Sequence, residues 1–175
     1  MGIAKPLNPP TFLNPPVNFG HCTLKEKEIR RVLFDSYNNN WKRDDCQFLD
    51  KILYKSNILI LINDSKEKFG YFIPNQINKI GKYVESDNCF IYSLNHQQSY
   101  PIKQKKYAIC IHNSNDDKLL TIGKEDIVLF KQEKKQQSYC KQTSFNYGRE
   151  KNVLIGKEGR DKPFNPKRIV VFQMN

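Results

Sequence analysis

Apolar and polar positions alternate differently along different parts of the chain, and one stretch anchors the reading. Ile58 to Ile62 is an unbroken run of β-branched and leucine residues, too short for a buried helix and bounded by polar residues. Such a run predicts a strand covered on both faces. Asn63 to Lys68 supplies turn formers and charge, and Phe69-Gly70-Tyr71-Phe72-Ile73 returns as an aromatic strand that Pro74 closes. Gly70 marks a bulge or a close approach within that strand. A hairpin so apolar needs cover on both sides.

Upstream, the pattern predicts helices. Thr23-x-x-Glu26 has the form of a capping box, and Ile29, Val32 and Leu33 recur at helical spacing, so a helix is expected to run to about Asp35. Tyr37 to Asn40 reads as a loop. A second helix is expected from Asp44 or Asp45 to about Lys55, burying Phe48, Leu49, Ile52 and Leu53. Downstream the pattern is β throughout. Strands are expected at Cys89–Leu94, Tyr107–His112, Lys118–Ile122, Asp126–Lys131, Thr143–Tyr147, Asn152–Ile155 and Arg168–Gln173. Short strands at regular spacing indicate a sandwich. The fold class expected is α+β, an antiparallel β-sandwich flanked by N-terminal helices.

Residues 1–22 stand apart. Leu7 to Phe12 (LNPPTF) is followed at once by Leu13 to Phe19 (LNPPVNF), a near-repeat of paired prolines and apolar anchors. Paired prolines favour polyproline II and forbid helix. The segment reads either as an arm for a partner or as a strap on its own domain. The organisation expected is this Pro-rich arm followed by a single domain over residues 23–175.

Placed in order, the segments resemble a TLDc domain, the module of the oxidation-resistance proteins, over roughly residues 33–173. The resemblance rests on LFDSYNNNW ending at Trp41, NILILI with its return through Phe69, Gly70 and Tyr71, and CFIYSL with Phe90, Ser93 and Leu94. It continues through IGKEDIVLF, with Gly123 and Asp126, then Ser138-x-Cys140, Phe145, Phe164 and the closing RIVVF. Two departures stand out: a single Gly70 where the family often doubles the glycine, and no glutamate in the last strand, where Val170 or a neighbour stands. The resemblance implies a β-sandwich and a role in tolerance of oxidative stress. It also implies binding to peripheral subunits of the vacuolar proton-pumping ATPase. It brings no cofactor and no catalytic centre.

Composition adds charge and thiols to this picture. The chain of 175 residues carries a formal net charge of +11. Between Lys131 and Arg168 eight Lys and three Arg stand against four acids. Arg149, Lys151, Arg160, Lys167 and Arg168, interleaved with Tyr147 and Phe164, form a candidate face for phosphates and stacked bases. A basic nucleic-acid-binding module is therefore the alternative reading. The bland account is a lysine-rich solvated surface. No apolar run approaches the length of a membrane-spanning helix, no secretory signal is evident, and a cytoplasmic protein is expected.

Five cysteines (Cys22, Cys46, Cys89, Cys110, Cys140) are spread without a CxxC pair and read as free, buried thiols. A zinc site would have to combine Cys110 and His112 with His21 and Cys22, and no second paired spacing supports one. Thiol chemistry would need a Cys and a His brought together. Cys140 beside Lys141 is the foremost candidate for oxidation, against burial as the plainer fate. The repeated Ile-Gly-Lys-Glu at Ile122 and Ile155 lacks the span of a phosphate loop, and each glycine is expected at positive φ before a strand. No catalytic constellation, cofactor, metal or small-molecule substrate is expected.

Overall fold

A computed structural model describes residues 28–133, 136–145, 151–158 and 161–175, with backbone only at Arg43, Lys151 and Glu158. The Pro-rich arm and the Thr23–Glu26 capping box lie outside the described residues. The central hairpin forms as its pattern dictates. Strand β2 (Ile58–Asn63) pairs antiparallel with β3 (Lys68–Ile73), from Ile58 opposite Ile73 to Asn63 opposite Lys68 without a register break. Gly70 is therefore not a bulge. A Cβ there would lie 2.8 Å from Leu61 Cδ2, so the glycine serves close approach.

The hairpin sits at the centre of a six-stranded sheet. β1 (Ile29–Asp35), β14 (Arg168–Met174), β2, β3, β5 (Phe90–Ser93) and β6 (Gln98–Pro101) follow in that spatial order. A second six-stranded sheet runs β13 (Lys162–Phe164), β10 (Ser138–Cys140), β9 (Ile127–Phe130), β8 (Lys118–Ile122), β7 (Ile109–Ile111) and β4 (Tyr83–Val84). A small ladder joins β11 (Lys151–Asn152) to β12 (Lys157–Glu158). The named strands pair antiparallel throughout. The two large sheets enclose one core, in which Ile58, Ile60, Ile62 and Tyr71 meet Ile109, Leu120, Ile122 and Leu129. Each such side chain contributes roughly 1.5–3 kcal/mol by leaving water. The Tyr71 hydroxyl donates to the Ala108 carbonyl at 2.7 Å, satisfying a polar atom inside that core.

The β-sandwich was legible; the N-terminal helices were not. The segment expected as a helix to Asp35 is strand β1, and that strand is irregular. Five positions of β14 face all seven residues of β1, because the register shifts between Ile29 and Arg31 and again between Val32 and Phe34. Two bulges break the period of two, so that Leu33 and Phe34 both meet the main core, while Ile29 packs at the outer cluster and Val32 is 47% exposed. The second expected helix shrinks to a 3-10 turn at Arg43–Asp45 and the short α1 (Phe48–Ile52). It ends where Leu53 turns extended and Tyr54 takes φ 61°. Phe48 and Ile52 are buried as read, with Phe48 edge-on to Phe34 at 5.0 Å, while Leu49 and Leu53 are half-buried. Among the described residues, no helix is long and apolar enough to cross a membrane.

Candidate interaction site

Where β1 leaves the sheet, the sequence builds one corner of a cleft. The Asp35 carbonyl accepts from the Asn38 and Asn39 amides, and the Asn39 side chain accepts in return from the Asp35 amide. This closes a tight turn and pushes Tyr37 outward, where it is 69% exposed. Its ring lies 4.4 Å from the Arg168 guanidinium carbon, a cation–π stack. Arg168 in turn grips Asp35 through two bonds, Nε to Oδ1 at 3.0 Å and Nη2 to Oδ2 at 2.6 Å. Burial alone would raise the Asp35 carboxyl. The Arg168 fork and the Tyr37 amide outweigh it, and the group sits below its ordinary value. Ser36 donates its amide to the Ile169 carbonyl and accepts the Ile169 amide on its hydroxyl, so the corner is locked to β14.

Trp41, only 7% exposed, also lines the cleft. Its carbonyl accepts from the Gln132 amide, and Lys42 forms an isolated parallel bridge with the same residue, just past β9. The second wall is Phe130 to Glu133 with Gln136, Gln137 and Ser138, and the third is Asn165, Pro166 and Lys167. The cleft encloses about 590 Å³. Among the described residues its lining offers amide side chains, an exposed tyrosine and an outward cation, Lys167, while Glu133 pairs with Lys42 at 2.8 Å. Lys131 turns its ammonium away from the cleft. Only 4% exposed, it donates to the carbonyls of Asn113, Ser114 and Asp116 and ties the β7–β8 turn to β9. Among the described residues, the lining includes no thiol, no imidazole and no pair of carboxylates. Such a surface suits a peptide backbone or a protein loop, which its amides can hydrogen-bond on both sides.

Of the motif segments read from the sequence, LFDSYNNNW reaches this cleft through Ser36, Tyr37 and Trp41, IGKEDIVLF through Phe130, and Ser138-x-Cys140 through Ser138. Phe69 stacks edge-on against Phe164 at 5.8 Å, and Tyr71 against Phe145 at 6.3 Å, inside the core. Phe90 is buried on the other face of the central sheet, and Leu94 packs partly against it. Ser93 is buried and its hydroxyl accepts from the His96 amide. Gly123 has φ +64° and lies over Asp126, whose carboxylate accepts from the Thr143 and Ser144 amides. These positions hold the fold. Val170, where the family glutamate was looked for, is buried on the outer face. Gln173 instead accepts from Arg31 Nε at 2.9 Å, a neutral acceptor where a carboxylate would pair charge with charge. Tyr37, Gln132, Asn165 and Pro166 were missed as site residues. The one signal was an aromatic residue inside the polar Tyr37–Asn40 loop.

The candidate basic face is only partly placed. Arg149 and Arg160 lie outside the described residues, as does the Lys151 side chain. Lys167 and Arg168 are neighbours, yet Arg168 is engaged by Asp35 and Tyr37, and Lys141 pairs with Glu125 at 2.9 Å. Lys157 donates to the Pro163 carbonyl. Among the described residues, Cys89, Cys110 and Cys140 are buried and Cys46 is half-buried, while Cys22 lies outside them. Burial pushes Cys140 up to about 12 and Cys89 up to about 11, and it raises Cys46 and Cys110. Cys140 is fully buried, so burial and not the neighbouring Lys141 decides its chemistry. His112 approaches Asp116 Oδ2 with Nδ1 at 3.2 Å and Thr121 Oγ1 with Nε2 at 2.8 Å. His21 and Cys22 lie outside the described residues. Both repeated glycines, Gly123 and Gly156, have positive φ in the turns before β9 and β12, as expected.

No curated protein matches the chain. The sequence profile of the TLDc domain matches residues 25–175.

Proposed function

Because the chain belongs to the TLDc-domain family, linked in general to protection against oxidative stress, we propose that it is a non-enzymatic protein-interaction module. Its partner is a peripheral subunit of the vacuolar proton-pumping ATPase, and the contact is the cleft beside Tyr37. The observation that carries this reading is the cleft itself. An exposed tyrosine is held in place by the Arg168–Asp35 pair above a volume lined with amides. Preorganised aromatic side chains with a polar surround are the usual anchors of protein contacts. The inward, high-pKa thiols favour a module acting through a partner over one that turns over peroxide itself.

The test is an affinity pull-down of the tagged full chain from its own cells, nuclease-treated, washed at moderate salt and read by mass spectrometry. Peripheral proton-pump subunits are expected with the wild type. They are expected to be lost several-fold with Tyr37→Ala and with Lys167→Glu, neither of which removes a core contact. Capture that vanishes with nuclease, and returns only at low salt, would replace this reading with the nucleic-acid alternative.

A further inference from the structure

Two exposed apolar side chains meet at the corner where the chain leaves α1 and where it runs on from β3. Tyr54 is 64% exposed and Ile80 is 38% exposed. The backbone ties their segments together. The Tyr54 amide donates to the Ile77 carbonyl at 2.7 Å, and the Ile77 amide donates to the Lys55 carbonyl at 2.9 Å. Gln76 Nε2 donates to the Tyr54 carbonyl at 3.1 Å. Ile77 is fully buried and roots the corner in the core. The Gly81 amide donates to the Ile111 carbonyl at 2.8 Å, and Ile80 bridges to the same residue. Tyr54 holds φ 61°, a strained conformation for a residue with a side chain. The strained backbone sets this ring in solvent rather than in the core.

Charge of one sign accompanies these side chains. Residues 51–57 and 75–83 contain Lys51, Lys55, Lys79 and Lys82 and no acid; Asp50 and Glu85 stand just beyond their outer ends. Lys51, Lys79 and Lys82 are exposed and Lys55 is half-exposed. Opposite Gly81 the β7–β8 turn brings the neutral Asn113 amide, while Asp116 of that turn is engaged with His112 and the Lys118 amide. A membrane surface containing anionic lipid complements both features. Its headgroups attract the lysines, whose stems can lie along the acyl boundary, and the apolar side chains enter that boundary. Tyrosine suits this depth, with an apolar ring and a polar tip. An acidic protein surface would match the charge but would need a shaped pocket for each protruding side chain. Lipid yields to them.

We propose that this corner docks the protein on a membrane surface rich in anionic lipid. Tyr54 and Ile80 insert, and Lys51, Lys55, Lys79 and Lys82 contact the headgroups. The binding is peripheral and reversible, since two side chains and four charges hold it. None of these residues lines the cleft beside Tyr37, so membrane docking and the protein contact proposed there stand or fall separately.

Vesicle co-sedimentation of the full chain tests the proposal. Binding is expected to phosphatidylcholine vesicles carrying about 30% phosphatidylserine, weakening as salt rises, and not to phosphatidylcholine alone. Lys79→Glu/Lys82→Glu alters only exposed side chains and should weaken binding at least about tenfold. Tyr54→Asn/Ile80→Ser keeps all four lysines, and Asn tolerates positive φ; it should weaken binding several-fold. In Tyr54→Trp the fluorescence of the new indole should shift to the blue and be quenched by brominated acyl chains, a response that buried Trp41 does not give. No binding to the anionic vesicles at low salt would overturn the proposal. Binding that survives the lysine reversal would place the lipid contact elsewhere on this basic chain and overturn it too. Binding lost on lysine reversal but unchanged in Tyr54→Asn/Ile80→Ser, with the indole unquenched, would overturn it in favour of an acidic protein partner.

Discussion

Individual residues in this protein are governed by small, identifiable balances. Asp126 is fully buried and its carboxyl is raised by that burial, even though the Ser144 and Thr143 amides favour its charged form. Gly123 is the residue that makes room for it. A Cβ there would collide with the Asp126 carboxylate, and φ +64° is itself unfavourable for an L side chain. Gly123→Ala is expected to cost roughly 1–3 kcal/mol from the backbone alone, seen as a lower urea midpoint. His112 shows the opposite balance to a surface histidine. Burial lowers its pKa and outweighs the pull of Asp116, while Lys118 and Lys131 add to the depression. Its folded value lies below its unfolded one, so the unfolded chain takes up the proton first. Its contribution to stability is full above about pH 6.5 and is lost as pH falls through the folded value. Urea midpoints at about pH 7.5 and pH 5.5 should therefore differ, and less so in His112→Gln. Sequence could name His112 but not its partners, because Asp116 and Thr121 meet it only once the β7–β8 hairpin closes.

At the scale of elements, the Asp35–Arg168 pair joins the end of β1 to the start of β14, residues far apart in the chain. Arg168→Gln leaves the Asp35 carboxylate buried without its partner and should destabilise the fold by roughly 3 kcal/mol. Arg168→Lys should recover only part of this, because an ammonium cannot reproduce the two-bond fork. Chemical denaturation measures both. The Arg168→Gln variant should also weaken capture in the pull-down, since Tyr37 loses the group it stacks on. The strands that sequence identified best are those of continuous apolar character, such as β2, β3, β8 and β14. Those it missed have little apolar pattern to show: β4 is two residues, β6 is mostly polar, and β13 carries Pro163 at a sheet edge. The helix expected before Asp35 failed for a different reason. The apolar spacing there does not mark one buried face: Val32 is exposed, and Ile29 and Leu33 pack against different clusters of an irregular strand.

For the whole molecule, the class of fold was readable because two sheets need many short apolar strands and little else. The site was not readable, since it is assembled from three separated stretches whose residues are ordinary surface types. Motif positions such as Phe69, Tyr71, Phe145 and Phe164 attracted notice because they build the core, and the core is what a family resemblance records most strongly. The basic balance spoke for a nucleic-acid face, but charge along a chain does not reveal which cations the fold pairs internally. Lys131, Lys141 and Arg168 are all so engaged.

The bulges of β1 bear on how the molecule behaves among its own kind. Among the described residues β1 is the last strand of its sheet on that side, and its early residues Arg30 and Arg31 are exposed. A flat, regular edge offers an incoming strand a continuous row of unpaired amides and carbonyls, which is how aggregation begins. The two extra residues kink and twist this edge, and the paired arginines set charge against any second copy that tries to extend the ladder. That irregularity works against extension of a sheet so rich in isoleucine and phenylalanine past this edge.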